Sequence, residues 1–196
     1  MSSTTKRLLV ITCLGAFLCV VVVGIASVAG IGYIGNRVAQ GIATEPATVQ
    51  AMANEFVHYE LPSGYTEKMG MDLVIYKMIL IGASDPSSNK PLIFLAHFDT
   101  PGVSADEMSQ QMRQSVQQQG GTSGLNMKVV ETRKVTINGQ ETTLTVSEGS
   151  DSSGLSLRQW VTAFPAKKGT VLLLIQGSTE EWDDASLNAF LASITT

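Results

Sequence analysis

Cysteine is nearly absent from this chain. Its two cysteines, Cys13 and Cys19, lie in an apolar run near the N-terminus, and no cysteine follows that run. The remainder can therefore form no disulfide, no cysteine-based metal site and no thiol nucleophile. It has to be stable through its hydrophobic core alone, which a domain of about 150 residues can achieve.

Residues that commonly carry catalysis are also scarce. The chain has two histidines, His58 and His97, and a serine triad would have to use one of them. Residues 149–154 (GSDSSG) resemble a serine-nucleophile loop only superficially, because the G-x-S-x-G spacing and a strand–turn–helix context are missing. Small polar residues between strands are ordinary loop chemistry. These absences favour a protein that is not an enzyme, and we expect no cofactor.

Positive charge is limited too. Lys6 and Arg7 precede the apolar run, which leaves 11 basic against 17 acidic residues in the rest of the chain, a net charge of −6. This acidic balance argues against nucleic acid or an anionic membrane surface as the main partner.

One long hydrophobic run, residues 8–34, contains no charged side chain. A helix over this run would span roughly 40 Å at ~1.5 Å per residue, enough to cross a ~30 Å hydrocarbon core with tilt. The run is much longer than the ~7–15 apolar residues of a signal peptide. We therefore predict an uncleaved single-pass transmembrane anchor rather than a cleaved leader.

Basic residues near the ends of the run predict its orientation. Lys6 and Arg7 precede it, and only Arg37 follows it closely. Since excess basic residues stay in the cytoplasm, we expect residues 1–7 to be cytoplasmic and the main domain, residues 45–196, to be extracytoplasmic. Residues 35–44 would be a stalk or an extension of the helix.

The domain's sequence predicts a β-sheet with helices around it. The predicted strands cover residues 72–82, 91–98, 127–137, 141–148, 155–164 and 170–176. One helix begins near Pro46, and capping boxes at Ser104 and Ser178 open two more. Short connections, above all Asn138-Gly139, make neighbouring strands antiparallel. The predicted fold is α+β, an antiparallel sheet flanked by amphipathic helices in an α/β/α sandwich.

Several local phrases, together with this element order, resemble the PsbP-like superfamily. They are residues 61–65 (LPSGY) before the first strand, Asn138-Gly139 in the central hairpin, Trp182-Asp183 at the closing helix and residues 190–194 (FLASI). The resemblance covers most of residues 45–195. It implies the α+β fold and a binding or assembly factor rather than an enzyme, as the better-known members are. Many bacterial exported or membrane-tethered domains belong to the same superfamily. It carries no functional residue over to this sequence.

His97 and Asp99 are the candidate site residues. They lie two positions apart at the end of a predicted strand, so their side chains share a face. An imidazole and a carboxylate on one face could hold a divalent metal or act as an acid–base pair. The alternative is that they cap the exposed end of a strand leaving the core, because no third ligand is evident.

Acidic residues cluster around Trp182. Glu180, Glu181, Asp183 and Asp184 could bind a hard cation such as calcium through their carboxylate oxygens. A helix N-terminus also favours acidic residues, because the helix dipole is positive there. The dipole accounts for the cluster without a ligand, and we expect Trp182 to pack on the sheet.

Three hypotheses about function follow. The first is a membrane-anchored extracytoplasmic protein that binds a protein partner in the membrane or envelope, or stabilises a complex there, without catalysis. It predicts an exposed apolar patch. The second is a metal-dependent enzyme, or a metal- or small-ligand-binding protein, centred on His97 and Asp99. The third is a lipid or small-molecule carrier, which needs an apolar pocket between helix and sheet.

Overall fold

The structure is a computed structural model that describes residues 42–73, 76–99, 107–108 and 126–196. All of them belong to one compact unit, Gly41–Thr196. The predicted anchor, residues 8–34, lies outside the described residues. Among those that are described, no helix is both long and apolar enough to cross a membrane.

An antiparallel sheet forms the centre of the described domain. Its eight strands are β1 (Ile42–Ala43), β2 (Tyr65–Leu73), β3 (Tyr76–Ala83), β4 (Leu92–Phe98), β5 (Asn126–Ile137), β6 (Gln140–Ser150), β7 (Ser156–Pro165) and β8 (Thr170–Ser178). Their order is β1-β2-β3-β4-β8-β7-β6-β5, and all neighbours are antiparallel. The predicted α+β class with an antiparallel sheet is thus confirmed.

The first hairpin differs from the prediction. One strand is expected over residues 72–82, but the chain reverses between Leu73 and Tyr76, so that β2 and β3 pair along their lengths. The sequence of β2 does not predict a strand, because it contains charged residues and Gly70 and lacks regular alternation of polar and apolar residues. Its pairing with β3 also has a register shift between Glu67 and Met69. Gly70 lets α1 approach β2 closely, since a Cβ there would lie only 3.0 Å from the sulfur of Met52.

The start of the domain lies within the segment expected to be a stalk or a helix extension. Ile42 and Ala43 form β1 and pair with Met71 and Gly70 of β2. The backbone groups on the outer side of β2 gain hydrogen-bond partners in this way. That segment therefore ends in the sheet.

The hairpin between β5 and β6 turns at Asn138-Gly139, as predicted. Both residues have positive φ, 53° and 71°. Asn and Gly tolerate this conformation, which the favoured two-residue hairpin turn requires. The pairing begins at Ile137↔Gln140 and continues to Asn126↔Ser150.

Two helices, α1 (Pro46–Ala53) and α2 (Asp184–Ser193), pack on the same face of the sheet. Phe56 lies beyond the end of α1 but is still buried. Of the helix predicted to open at Ser104, only Glu107 and Met108 are described, and both are helical. The remainder of that helix, which would complete the predicted sandwich, lies outside the described residues.

Apolar residues are buried on both faces of the sheet. On the face that carries the helices, Leu95, Trp160 and Leu173 are at most 2% exposed. On the other face, Phe94 and Leu174 are 7% and 6% exposed. Burial on both faces explains why β4 and β8 are almost continuously hydrophobic in sequence.

The last two residues fasten distant parts of the domain together. Thr195 forms an antiparallel bridge with His58, through backbone hydrogen bonds of 2.8 and 2.9 Å. Thr196 holds the side chain of Asn138, because its Oγ1 accepts from Nδ2 at 2.6 Å and its N donates to Oδ1 at 3.3 Å. We call Thr195 and Thr196 the C-terminal clasp.

Candidate functional site

His97, the candidate metal ligand, is held in the core near the end of β4. Its imidazole is stacked on Phe56, with ring centroids 5.0 Å apart and an interplanar angle of 11°, and the residue is 9% exposed. Nε2 lies 2.6 Å from the carbonyl oxygen of Lys168. Because a carbonyl only accepts, Nε2 donates this hydrogen bond, and only Nδ1 keeps a lone pair for a metal.

Asp99 follows β4 and is exposed, unlike His97. His58 is exposed as well, and its Nδ1 lies 3.0 Å from Asn54 Oδ1. In the part of the chain that the structure describes, no three His, Cys, Asp or Glu side chains form a group that could hold a metal ion. A metal site at His97 and Asp99 stays a prediction, and any third ligand would have to come from elsewhere.

Lys77 lies opposite His97 in the β3–β4 pair and binds two carboxylates. Its ammonium forms ion pairs with Glu55 and with Asp72, 3.2 Å from Asp72 Oδ2. Burial would lower the pKa of Lys77, but hydrogen bonds and charge from the two carboxylates outweigh burial and raise it. Glu55 and Asp72 are therefore balanced by a cation already.

Trp182 packs on the sheet, as the sequence predicts. Its ring meets Trp160 edge to face, with centroids 5.4 Å apart, and its Nε1 donates to Asp184 Oδ1 at 3.1 Å. Arg158 lies over the Trp182 ring, with its guanidinium carbon 5.7 Å from the ring centroid, and it donates to Asp184 at 3.3 Å and pairs with Glu148 at 2.7 Å. The apolar side of Trp182 thus contacts the core while its polar edge faces carboxylates.

The closing helix begins later than the capping box at Ser178 predicts. Ser178 Oγ accepts from the amide of Glu180 at 3.2 Å, but this opens only a short 3-10 turn, Thr179–Glu181. Asp183 is the cap of α2, since its Oδ1 accepts from two amide groups of the first turn at 3.1 Å. One of the acidic residues near this helix start, Asp183, is therefore a capping residue. Asp184 lies in the first turn, where the helix dipole favours negative charge.

The four acidic residues around Trp182 differ in what they bind. Asp183 is occupied by the cap and Asp184 by Trp182 and Arg158. Glu180 and Glu181 are exposed, and their carboxylates form no ion pair within the described residues. We call Glu180, Glu181, Asp183 and Asp184 the acidic surface.

Tyr65 lies beside the acidic surface and responds to its charge. Burial raises the pKa of Tyr65, and the negative charges of Asp183 and Glu181 raise it further, to about 12. The Lys90 ammonium lies 5.3 Å from the Tyr65 ring centroid. The charges of the acidic surface are thus felt by a half-buried phenol.

Of residues 149–154, the first two end β6 and the other four lie in the turn between β6 and β7. Asp151 Oδ1 accepts from the amide and the hydroxyl of Ser153, at 2.8 and 2.7 Å, and from the amide of Leu155 at 2.9 Å. Burial would raise the pKa of Asp151, but these hydrogen bonds outweigh burial and lower it. Ser153 therefore has a structural role in the turn, as the loop interpretation predicts.

Ser147 and Gln159 form a buried polar pair that was not predicted from the sequence. They are direct partners between β6 and β7 and are 1% and 4% exposed. Within the described part, Ser147 Oγ and Gln159 Oε1 have no hydrogen-bond partner, whereas Gln159 Nε2 donates to Gln176 at 3.2 Å. The alternation of hydroxyl residues with Leu144 and Val146 along β6 is the sequence signal that could have identified the pair.

Comparison with known proteins gives similarity in structure only. No family model matches the sequence, and no curated protein matches it significantly. A protein of Bacteroides thetaiotaomicron is similar with a TM-score of 0.46 and 8% identity, over 80% of this chain and 48% of its own. This chain therefore spans about half the length of that protein.

Two further solved structures are similar over most of their own length. LpqN of Mycobacterium tuberculosis, described as involved in cell envelope biogenesis, has a TM-score of 0.42 and 10% identity, over 71% of this chain and 82% of LpqN. Cyanobacterial PsbP of Synechocystis has a TM-score of 0.41 and 10% identity, over 72% of this chain and 92% of PsbP. A cyanobacterial PsbP is thus among the structures that this chain is similar to.

Proposed function

We propose that this chain is a membrane-anchored extracytoplasmic protein whose domain binds a protein partner, or stabilises a complex in the envelope, without catalysis. The observation that carries the proposal is the uncharged run of residues 8–34, followed closely by a compact unit that starts at Gly41. A helix over a run of this length is stable in the hydrocarbon core. Lys6 and Arg7 ahead of it favour a cytoplasmic N-terminus.

The described surface favours a polar contact with the partner. Ile42 and Val130 are the exposed large hydrophobic residues of the described part, at 45% and 55%, and they lie on strands at opposite ends of the strand order. The exposed apolar patch expected of an assembly factor is therefore not found among the described residues.

The acidic surface is where we place the partner. Glu180 and Glu181 form no ion pair in the described part, whereas exposed Glu141 is paired with Lys134. Trp182 adds an aromatic side chain of the kind enriched at interfaces. A partner with a basic surface would gain electrostatic complementarity and faster association here.

Crosslinking in the membrane tests this proposal. The tagged full-length chain is crosslinked in cells, and the captured proteins are identified by mass spectrometry. We expect one reproducible neighbour that is kept in His97→Ala and lost in the double variant Glu180→Gln, Glu181→Gln. The matched control Glu60→Gln, Glu141→Gln removes the same charge from exposed positions elsewhere and should keep the neighbour.

Each other outcome contradicts a defined part of the proposal. Loss of the neighbour in both double variants would contradict its placement on the acidic surface. No reproducible neighbour, together with a metal in the purified protein, would contradict the binding role and favour the site at His97 and Asp99. Release of the chain from membranes by alkaline carbonate would contradict the anchor.

A carrier of an apolar small molecule is a second candidate, which the buried pair of Ser147 and Gln159 favours. Polar atoms without a partner are costly in the interior, and a ligand with one hydrogen-bonding group would satisfy them. Organic extraction of the purified full-length chain, followed by mass spectrometry, tests this. A carrier should yield a molecule that is lost from Ser147→Ala, Gln159→Leu, and an empty extract from the unaltered chain would contradict the candidate.

A further inference from the structure

Asn138-Gly139 is the single asparagine–glycine pair in this sequence. Asparagine followed by glycine is the pair most prone to lose its side-chain amide, because glycine has no side chain to hinder attack by its backbone nitrogen. The pair sits at the tip of the β5–β6 hairpin, where both residues have positive φ.

The C-terminal clasp fixes the side chain of Asn138 from both ends of its amide. Nδ2 donates to Thr196 Oγ1 at 2.6 Å, and Oδ1 accepts from Thr196 N at 3.3 Å. The backbone of Asn138 is held as well, since its N donates to the carbonyl of Ile194 at 3.2 Å. Attack on the side-chain carbon Cγ by the amide nitrogen of Gly139 needs freedom of the side chain to rotate, and the two bonds to Thr196 restrict that rotation.

We propose that Asn138 is a deamidation site that Thr196 of the C-terminal clasp keeps unreacted. The nitrogen of Gly139 forms a bond to Cγ of Asn138, and the side-chain nitrogen leaves as ammonia with the proton from the Gly139 amide. Water then opens the cyclic imide at either carbonyl and gives aspartate or isoaspartate. No oxidant or reductant is involved.

The isoaspartate product would disrupt the region that the clasp joins. It inserts a methylene group into the backbone of a two-residue turn, whose length fixes the register of β5 and β6. It also replaces the Asn138 amide, whose donor group binds Thr196 Oγ1, by a carboxylate that only accepts. Deamidation therefore loosens the hairpin tip and the C-terminal end together.

The test compares deamidation rates of the purified full-length chain in detergent at mildly alkaline pH. Peptide mapping by mass spectrometry measures the mass increase and the isoaspartate fraction at Asn138. We expect Thr196→Ala to react about fivefold faster than the unaltered chain, the factor that one hydrogen bond of ordinary net strength contributes. Deletion of Thr196 should accelerate the reaction further, because both side-chain bonds are lost.

Thr195→Ala is the matched control, since Thr195 bonds His58 through its backbone and its side chain is exposed. Its rate should equal that of the unaltered chain. The chain unfolded in urea gives the unprotected rate, which should exceed the folded rate. Equal rates for Thr196→Ala and the unaltered chain, or for folded and unfolded chain, would overturn the proposal.

Discussion

The His97 region and the Trp182 region, each named for its central aromatic residue, differ in how far the polar groups are bound within the fold. At His97 the ring is stacked on Phe56 and its Nε2 is bound to a backbone carbonyl, so its hydrogen-bonding capacity is largely used by the fold. At Trp182 the ring covers Trp160, while Glu180 and Glu181 next to it remain exposed.

This difference teaches that the fold itself can use the polar atoms of a residue type that suggests a site, as it uses Nε2 of His97. The side chain of His97 contributes to stability, and substituting it should be felt mainly in folding. Glu180 and Glu181 contribute little to packing, and substituting them should be felt mainly in binding. The following predictions separate the two regions by measuring both quantities.

The largest expected effect lies at the core side of the Trp182 region. Trp160 is 2% exposed and carries Trp182 on one side and the Arg133 guanidinium 4.7 Å from its ring centroid. Trp160→Ala should lower the free energy of unfolding by about 3–5 kcal/mol, through lost burial and a cavity. Urea unfolding measures this value. Trp182→Ala, at a partly exposed position, should lower the free energy of unfolding by clearly less. Equal losses would contradict the expected dependence on burial.

His97→Ala should lower the free energy of unfolding by about 2 kcal/mol. The variant loses the stacking on Phe56 and leaves the Lys168 carbonyl without its donor. Asp99→Ala, at an exposed position, should change stability by less than about 0.5 kcal/mol. If instead both variants lose a bound metal to the same extent, as measured by elemental analysis, His97 and Asp99 act as ligands and the contrast between the regions fails.

A pH-dependent effect is expected at Tyr65. Its folded pKa of about 12 lies above the ordinary tyrosine pKa of 10.0, so its contribution to stability is fully present below pH 10.0 and is lost as pH rises towards 12. Stability of the unaltered chain should therefore fall relative to Tyr65→Phe across this range, as measured by urea unfolding. Because the charge of Glu181 contributes to the shift, Glu181→Gln should reduce this difference, and an unchanged difference would contradict that contribution.

The smallest stability effect is expected at the exposed end of the Trp182 region. Glu180→Gln, Glu181→Gln should change the free energy of unfolding by less than about 0.5 kcal/mol, because neither carboxylate bonds within the described part. The same double variant should lose the crosslinked neighbour. A large loss of stability would instead make the pair structural and remove the reason for placing the partner there.

Local signals in the sequence were sufficient for much of the fold. Asn138-Gly139 predicts the central hairpin because both residues tolerate the positive φ that a two-residue hairpin turn requires. The strand from Leu92 to Phe98 was equally clear from its hydrophobic run. β2 was missed because its burial depends on contacts with α1 at Gly70, which no local pattern records.

The site was harder to predict because its contacts are distant in sequence. The spacing of His97 and Asp99 correctly suggests a strand end, but the partners that occupy His97 are Phe56 and Lys168. No local sequence pattern indicates that either residue contacts His97, because both are distant from it in the chain. The packing of Trp182 was predictable because a tryptophan beside an amphipathic helix has little alternative to the sheet.

The pairing of β4 with β8 has a consequence for how the protein is made. It joins strands β1 to β4 with strands β5 to β8, from Leu92↔Gln176 to Phe98↔Thr170, and it is the single strand pairing between these halves in the described sheet. A ribosome must therefore synthesise almost the entire chain before the middle of the sheet can close. Until then β4 and β7 each present an open hydrophobic edge, and such late, long-range pairing folds slowly and invites aggregation. A chain that emerges across a membrane in this state would depend on rapid completion or on a chaperone that covers those edges.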